Sequence, residues 1–317
     1  MVKQGTSTGQ IRVGCVQWQM RPFASVAAFL QQVEWQLASL ASYRCDFAVL
    51  PEFFSAPLMT LTPNLDTWYA MRELATHSQA IIGAISEMAV HYKINVIAGS
   101  LPMLTGNRLF NIACFCHRSG KIDHQAKLHP TPGEKTDWGM RGGNSLMAVD
   151  SDAGRVGMLI CYDVEFPELP RLLAEQGIDV LFVPFWTDSK QGYQRVRLCA
   201  QARAIENEIY VVLAGSVGCL PQLACLDVQY GQSAVFSPSD IGFPHDAIVA
   251  EATANVETLL VAELDLGKLA KLRKAGSVRN AQDRRRDLYQ VNWLGAKGKK
   301  RNTRNRTARK SLRKKTR

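Results

Sequence analysis

Apolar positions along the chain switch repeatedly between a period of two and a period near 3.6. Ile11–Trp18 is β-branched and apolar, and Ser25–Tyr43 follows with Val26, Phe29, Leu30, Val33, Leu37 and Leu40 at helical spacing. Asp46–Pro51 reads as a short buried strand, Met71–Tyr92 as a second helix and Ile94–Ser100 as a strand. Strand patterns recur at Leu109–Cys116, Lys121–Lys127 and Arg155–Ile160. A helix over Phe166–Gln176, a strand over Asp179–Pro184, a long helix from Gln191 to Glu208 and a strand over Ile209–Ala214 come next. Strands return at Ser233–Ser237, Ala247–Ala252 and Thr258–Asp265, before a helix over Leu266–Ala275. Such alternation predicts an α/β protein with helices covering sheet faces, and the number of strands predicts two sheets. No fixed-period repeat and no Pro/Gly/Ser-rich linker interrupts residues 1–296, so one domain is expected there, followed by a tail over 297–317.

Charge separates that tail from the body. The whole chain has 38 Lys+Arg and 28 Asp+Glu, and Lys297–Arg317 holds 6 Lys and 6 Arg with no acidic residue. Removing those 12 leaves 38 − 12 = 26 basic against 28 acidic residues, a body of net charge −2. The tail cannot bury a core and is expected to be disordered, either a solubilising segment or an electrostatic arm for a polyanion such as RNA or DNA. The whole chain has 46% apolar and 21% charged residues, which excludes a collagen-like or largely disordered chain. MVKQGTSTGQ at the start has no apolar signal region. The apolar run Ile209–Leu220, broken by Gly215, Ser216 and Gly218, is too short to cross a bilayer and predicts a buried strand with its turn. The eight cysteines are irregularly spaced with no CxxC pair, so a reduced, cytoplasmic protein is expected, with no membrane association. Cys114, Cys116 and His117 could suggest a metal, but Phe110, Ile112, Cys114 and Cys116 alternate as one strand face.

Three reactive side chains fall at the ends of predicted strands: Glu52 after FAVLP, Lys127 after KIDHQA and Cys161 after RVGMLI. Carboxyl ends of strands are where α/β sheets bind ligands, so one shared site is expected. A thiol is nucleophilic as thiolate and needs a base or a cationic setting. Glu52 can take the thiol proton and return it to a leaving amine if burial raises its pKa. Lys127 and the backbone N–H of Tyr162 can stabilise an oxyanion. Asp163 and Glu165 follow in a predicted helix whose N-terminus would favour thiolate. Singly, each has a plain structural reading: Cys161 as a core thiol, Glu52 as a loop acid, Lys127 as a surface charge.

The surrounding motifs carry a resemblance. LPEFF around Glu52, KLHPTPGE from Lys127 to Glu134 and GMLICYDVEFPEL from Gly157 to Leu169 resemble segments of the nitrilase superfamily of carbon–nitrogen hydrolases. DVLFVP (Asp179–Pro184), RAIENEIYVV (Arg203–Val212) and GQSAVFSP (Gly231–Pro238) extend the resemblance over roughly residues 11–290. It implies a four-layer αββα sandwich that forms homodimers or higher homo-oligomers, and no metal or organic cofactor. It implies Cys161 as nucleophile, Glu52 as general base and acid, and Lys127 as oxyanion stabiliser. Glu134 falls where many members carry a second Glu that positions substrate or orients the lysine.

Other matched residues receive supporting roles. Arg203, Glu206 and Asn207 are expected to form a structural network, and Asp163 and Glu168 to cap and orient the nucleophile turn. Phe53, Phe54, Trp138, Phe185 and Trp186 are expected to make an aromatic wall. Thr187 and Asp188 follow a neighbouring strand, and Asp188 can pair with a cationic substrate or cap a helix. The function expected is a cysteine-dependent amidase acting on a small linear amide or N-carbamoyl amine through a thioester. The alternatives are a nitrilase acting on a small nitrile, a polyanion-binding protein working through its tail, and a catalytically silent scaffold.

Overall fold

The computed structural model describes residues 9–221, 223 and 228–295. The basic tail Lys297–Arg317 lies outside the described residues. The elements in chain order are β1 (Gln10–Met20), α1 (Val26–Ser42), β2 (Phe47–Val49), α2 (Thr67–His91), β3 (Asn95–Thr105), β4 (Arg108–Cys116) and β5 (Ile122–Ala126). There follow α3 (Pro132–Thr136), β6 (Val149–Ser151), β7 (Gly154–Met158), α4 (Glu168–Glu175), β8 (Val180–Phe185) and α5 (Lys190–Asn207). The last are β9 (Tyr210–Cys219), β10 (Val228–Gln229), β11 (Ala234–Phe236), β12 (Ile248–Glu251), β13 (Thr258–Asp265) and α6 (Leu266–Ala275).

The strands form two sheets. In the first, β2 lies parallel between β1 and β3, β4 and β5 continue antiparallel beyond β3, and β13 closes the other edge against β1. In the second, β7, β8 and β9 are parallel, with β6 antiparallel on one side and β11 and β12 on the other. The sheets are not fully separate, because the end of β1 pairs with the end of β9 from Trp18↔Ser216 to Met20↔Gly218. Alternation along β1 sets the layers: Val13 and Cys15 join the core shared with the second sheet, whereas Trp18 and Met20 join the core under α1 and α2. Phe47 of the first sheet meets Phe182 of the second with ring centroids 5.2 Å apart. With α4 and α5 on the outer face of the second sheet, this is the four-layer αββα sandwich expected from the resemblance.

Local differences from the pattern have physical causes. The helix α1 starts where Ser25 caps the Ala28 N–H at 3.1 Å, and buries Phe29, Val33, Leu37 and Leu40. The helix α2 begins a turn before its apolar periodicity, because Asp66 caps the Tyr69 N–H at 3.1 Å. The helix expected over Phe166–Gln176 begins two residues later, at Glu168, and a separate 3-10 turn, Cys161–Glu165, precedes it. Phe166 precedes a proline and is held extended, which separates the two. Cys161 therefore does not lie beside the N-terminus of α4. Cys114 and Cys116 pack in the core beneath α2, and His117 Nε2 stands 2.8 Å from Asp123 Oδ2. Among the described residues, no helix is long and apolar enough to cross a membrane.

Candidate active site

Glu52 sits just past β2, bridged to Ser100 of β3. The Phe53 N–H donates to Ser100 O at 2.9 Å, and the Ser100 N–H to Pro51 O at 3.3 Å. This close approach needs Gly99, which has φ +50°; a Cβ there would fall 1.8 Å from Pro51 O. Lys127 follows β5, its N–H donating to Asn111 O at 2.8 Å. Glu134 rises from α3 through a capping box, in which its Oε2 accepts from the Thr131 N–H at 2.6 Å and Thr131 Oγ1 accepts from the Glu134 N–H at 3.3 Å.

These segments bring four buried polar side chains together. Lys127 Nζ lies 2.8 Å from Glu52 Oε1 and 2.8 Å from Glu134 Oε2. Asn111 Nδ2 donates to Glu52 Oε1 at 2.8 Å and to Glu134 Oε1 at 3.2 Å. Sequence reasoning missed Asn111; its signal was a lone amide in the apolar strand LFNIACFC.

Cys161 opens the 3-10 turn with φ +48°, a conformation that L-residues other than Asn and Asp seldom adopt. Its thiol faces Trp186 O at 3.6 Å. The turn is held from two directions. Asp163, fully buried, accepts from the N–H groups of Leu128 and His129 at 3.0 and 2.8 Å, tying the turn to the segment after Lys127. Arg203 donates through Nε to Val164 O at 3.0 Å and through Nη2 to Glu165 O at 3.1 Å. Glu206 accepts from Arg203, and Asn207 Nδ2 donates to Arg203 O at 3.0 Å, so the expected network is present and grips the turn itself. Glu168 opens α4 and is exposed.

Burial raises the carboxyl pKa of Glu52 above its ordinary value, against the pull of Lys127. Burial opposes the charge on Lys127, but Glu52 and Glu134 outweigh it and hold the ammonium well above its ordinary pKa. Burial, reinforced by the charge of Glu52, pushes the Cys161 thiol well up, with Lys127 opposing. Burial therefore favours the neutral thiol at rest, and Cys161 gains no thiolate stabilisation from the N-terminus of α4.

A cavity of about 850 Å³ joins these groups. Glu52, Lys127, Glu134, Cys161, Tyr162, Trp186, Thr187 and Asp188 all line it. Of the five aromatic residues expected in its wall, Phe53, Trp138 and Trp186 are there, with ring centroids 5.3–6.0 Å apart. Phe54 instead packs on Trp18 and Phe29, and Phe185 on Tyr193, because their strand and turn positions turn them into the core. Thr187 Oγ1 donates to Tyr230 O at 2.7 Å. Glu165, named from the sequence only as part of the turn after Cys161, lines the cavity as well, as do Arg195 and Gln229, which were not singled out.

The chain belongs to the carbon–nitrogen hydrolase family, whose model matches residues 12–274. It is 40% identical over 283 residues to the probable hydrolase YhcX of Bacillus subtilis, covering 89% of this chain and 55% of that protein. It is 28% identical over 259 residues to the chloroplastic omega-amidase of Arabidopsis thaliana, covering 79% of this chain and 66% of that protein. The chain thus spans less than two thirds of the length of either relative. Its fold matches that of Saccharomyces cerevisiae Nit3, a member of branch 10 of the nitrilase superfamily. That match has a TM-score of 0.72 at 25% identity, over 87% of this chain and 96% of the other.

Proposed function

We propose that this protein is an amidase that hydrolyses a small linear amide or N-carbamoyl amine through a thioester on Cys161. The observation that carries this reading is the meeting of a buried carboxylate, ammonium and thiol in one cavity. Glu52 takes the Cys161 proton as sulfur attacks the carbonyl carbon, a role that suits its raised pKa. Since burial favours the neutral thiol, attack and proton transfer are coupled. The oxyanion is stabilised by Lys127 and the Tyr162 N–H, and its collapse breaks the C–N bond as Glu52 returns the proton to the departing nitrogen. Water, deprotonated by Glu52, then opens the thioester to the acid and restores the thiol. Glu134 and Asn111 keep Lys127 and Glu52 in register throughout. The omega-amidase among the relatives supports an amide as substrate.

Ammonia release from matched amide and nitrile pairs, with mass spectrometry for an acyl adduct on Cys161, tests the proposal. Amide turnover with a Cys161 acyl adduct is expected. Turnover of nitriles alone, or amide turnover by Cys161→Ala, overturns it. The same proposal includes dimers or larger assemblies, read by light scattering.

A further inference from the structure

Two residues on the first two turns of α2, neither of which lines the cavity, grip the loop that carries one of its wall residues. Trp138 and Gly139 lie just past α3, where the Asp137 N–H donates to Gly133 O and the Met140 N–H to Glu134 O, both at 2.8 Å. Trp138 lines the cavity, packed edge-on against Phe53 and tilted against Trp186. The only hydrogen bond to Trp138 among the described residues comes from α2: Arg72 Nη1 donates to Trp138 O at 3.2 Å. The same nitrogen donates to Trp68 O at 2.9 Å, and the guanidinium carbon lies over the Trp68 ring, 3.5 Å from its centroid. Trp68 in turn lies against Gly139, which has φ +68°; a Cβ there would fall 2.0 Å from Trp68 Cζ3.

The two ends of this segment are therefore held differently. Glu134 is fixed by Lys127 and by the Thr131 N–H, at the reacting end of the cavity. Trp138 is fixed from outside, by a cation seated on one tryptophan ring that reaches the carbonyl of the next. Loosening that grip can shift the Trp138 ring while Glu134 keeps its ion pair. Trp138 belongs with Phe53 and Trp186 to the aromatic part of the cavity lining. Such rings bind the alkyl part of a substrate roughly in proportion to the apolar area covered.

We propose that Arg72 and Trp68 are positioning residues that act through Trp138 and set the cavity's preference for the length of the substrate's alkyl chain. This rests on reading the cavity as an amidase site, and it names the residues outside that site that tune its specificity.

The test follows kcat and KM for acetamide and hexanamide in Arg72→Met, Trp68→Ala and the double variant. Contacts to an unreacting chain are shared by ground and transition states, so their loss raises KM and spares kcat. In each single variant KM for hexanamide is expected to rise about fivefold or more, with kcat within about twofold of wild type. Acetamide, which buries little alkyl surface, should stay within about twofold in both constants. The double variant should lose little more than either single one, because both residues act through one ring. As a measurement that needs no turnover, the rate of Cys161 alkylation by 2-bromohexanamide relative to 2-bromoacetamide, read by mass spectrometry, should fall about threefold or more in Arg72→Met. Equal losses for both amides, an unchanged KM for hexanamide, or additive losses in the double variant overturn the inference while leaving the amidase reading intact. If the wild type turns over neither amide and Cys161 carries no acyl adduct, the amidase reading falls, and an unchanged alkylation ratio in Arg72→Met then overturns the inference as well.

Discussion

The two walls of the cavity are held by different means. On the side of the first sheet, Glu52, Lys127, Glu134 and Asn111 hold one another side chain to side chain, in a buried cluster of charges. On the side of the second sheet, the Cys161 thiol faces Trp186 O at 3.6 Å and interacts with Glu52, and its position is set by backbone: a left-handed residue opening a 3-10 turn whose carbonyls Arg203 grips and whose Asp163 reaches across to Leu128 and His129. The first wall is a balance of charge, and the second is a fixed geometry. Buried charges lose far more when a partner is removed than the pair contributes in total, whereas a positive φ costs only about 1–2 kcal/mol and persists while its surroundings hold it. Changes to the first wall should therefore disturb stability and chemistry together. Changes around the second should mainly move the sulfur.

The largest expected effects remove a reacting group. Cys161→Ala should lower kcat on a small amide by at least about 10³-fold, with the unfolding midpoint close to wild type. Glu52→Gln should be nearly as inactive, because an amide cannot carry the proton; retention of more than about a tenth of wild-type kcat by either variant breaks the proposed roles.

Next comes the variant that should separate the walls. Lys127→Ala is expected to lose about 10²-fold or more in kcat and, unlike Cys161→Ala, about 3–5 kcal/mol of stability in denaturant unfolding. Normal stability in that variant would mean that the first wall is not a balance of charge. Arg203→Leu, by contrast, leaves the Val164 and Glu165 carbonyls without their donor. A loss of about 2 kcal/mol in stability and about tenfold in kcat is expected, with the shape of the pH–rate profile retained. A shifted profile would show that Arg203 acts through charge rather than geometry.

Asn111→Leu should act more gently and in the opposite manner. In the proposed mechanism attack needs ionised Glu52, so the rate is expected to fall as pH drops through its raised pKa. The Asn111 N–H favours the ionised form; removing it raises that pKa further and moves the acid limb to higher pH, by about one unit or less. An unmoved limb would assign Asn111 to packing alone. The smallest effect is expected far from both walls: deleting 297–317 should leave kcat on a neutral amide within about twofold, less than about 0.5 kcal/mol, while abolishing salt-sensitive retention on heparin if the tail binds polyanions.

The division between the walls also explains what could be read in advance. Strand periodicity with flanking reactive residues located Glu52, Lys127 and Cys161 at strand ends, and the runs around them carried the family resemblance. Each of these signals is local: a period of two says which face a residue joins, and a strand end says where a loop begins. Ser25 and Phe29–Leu40 determined α1 in the same way, by a cap and a stripe.

What needed the tertiary structure was whatever depends on two distant segments meeting. Asn111 is one polar residue in an apolar strand until β4 stands beside the loops of Glu52 and Glu134. Phe54 and Phe185 are chain neighbours of Phe53 and Trp186, yet the direction of the backbone at each position sends the first two into the core and places the others on the cavity. Glu165 and Gln229 are unremarkable as letters and become neighbours of one cavity only because β10 pairs with the end of β9. The protonation of Cys161 was decided there too. Proline at 167 separates the 3-10 turn of Cys161 from α4, and the desolvation that raises the thiol depends on everything packed around it. Sequence by itself determined which residues could react and which faces they joined. Their convergence, burial and charge state were decided by packing, because desolvation and Coulomb interactions depend on distances in space rather than along the chain.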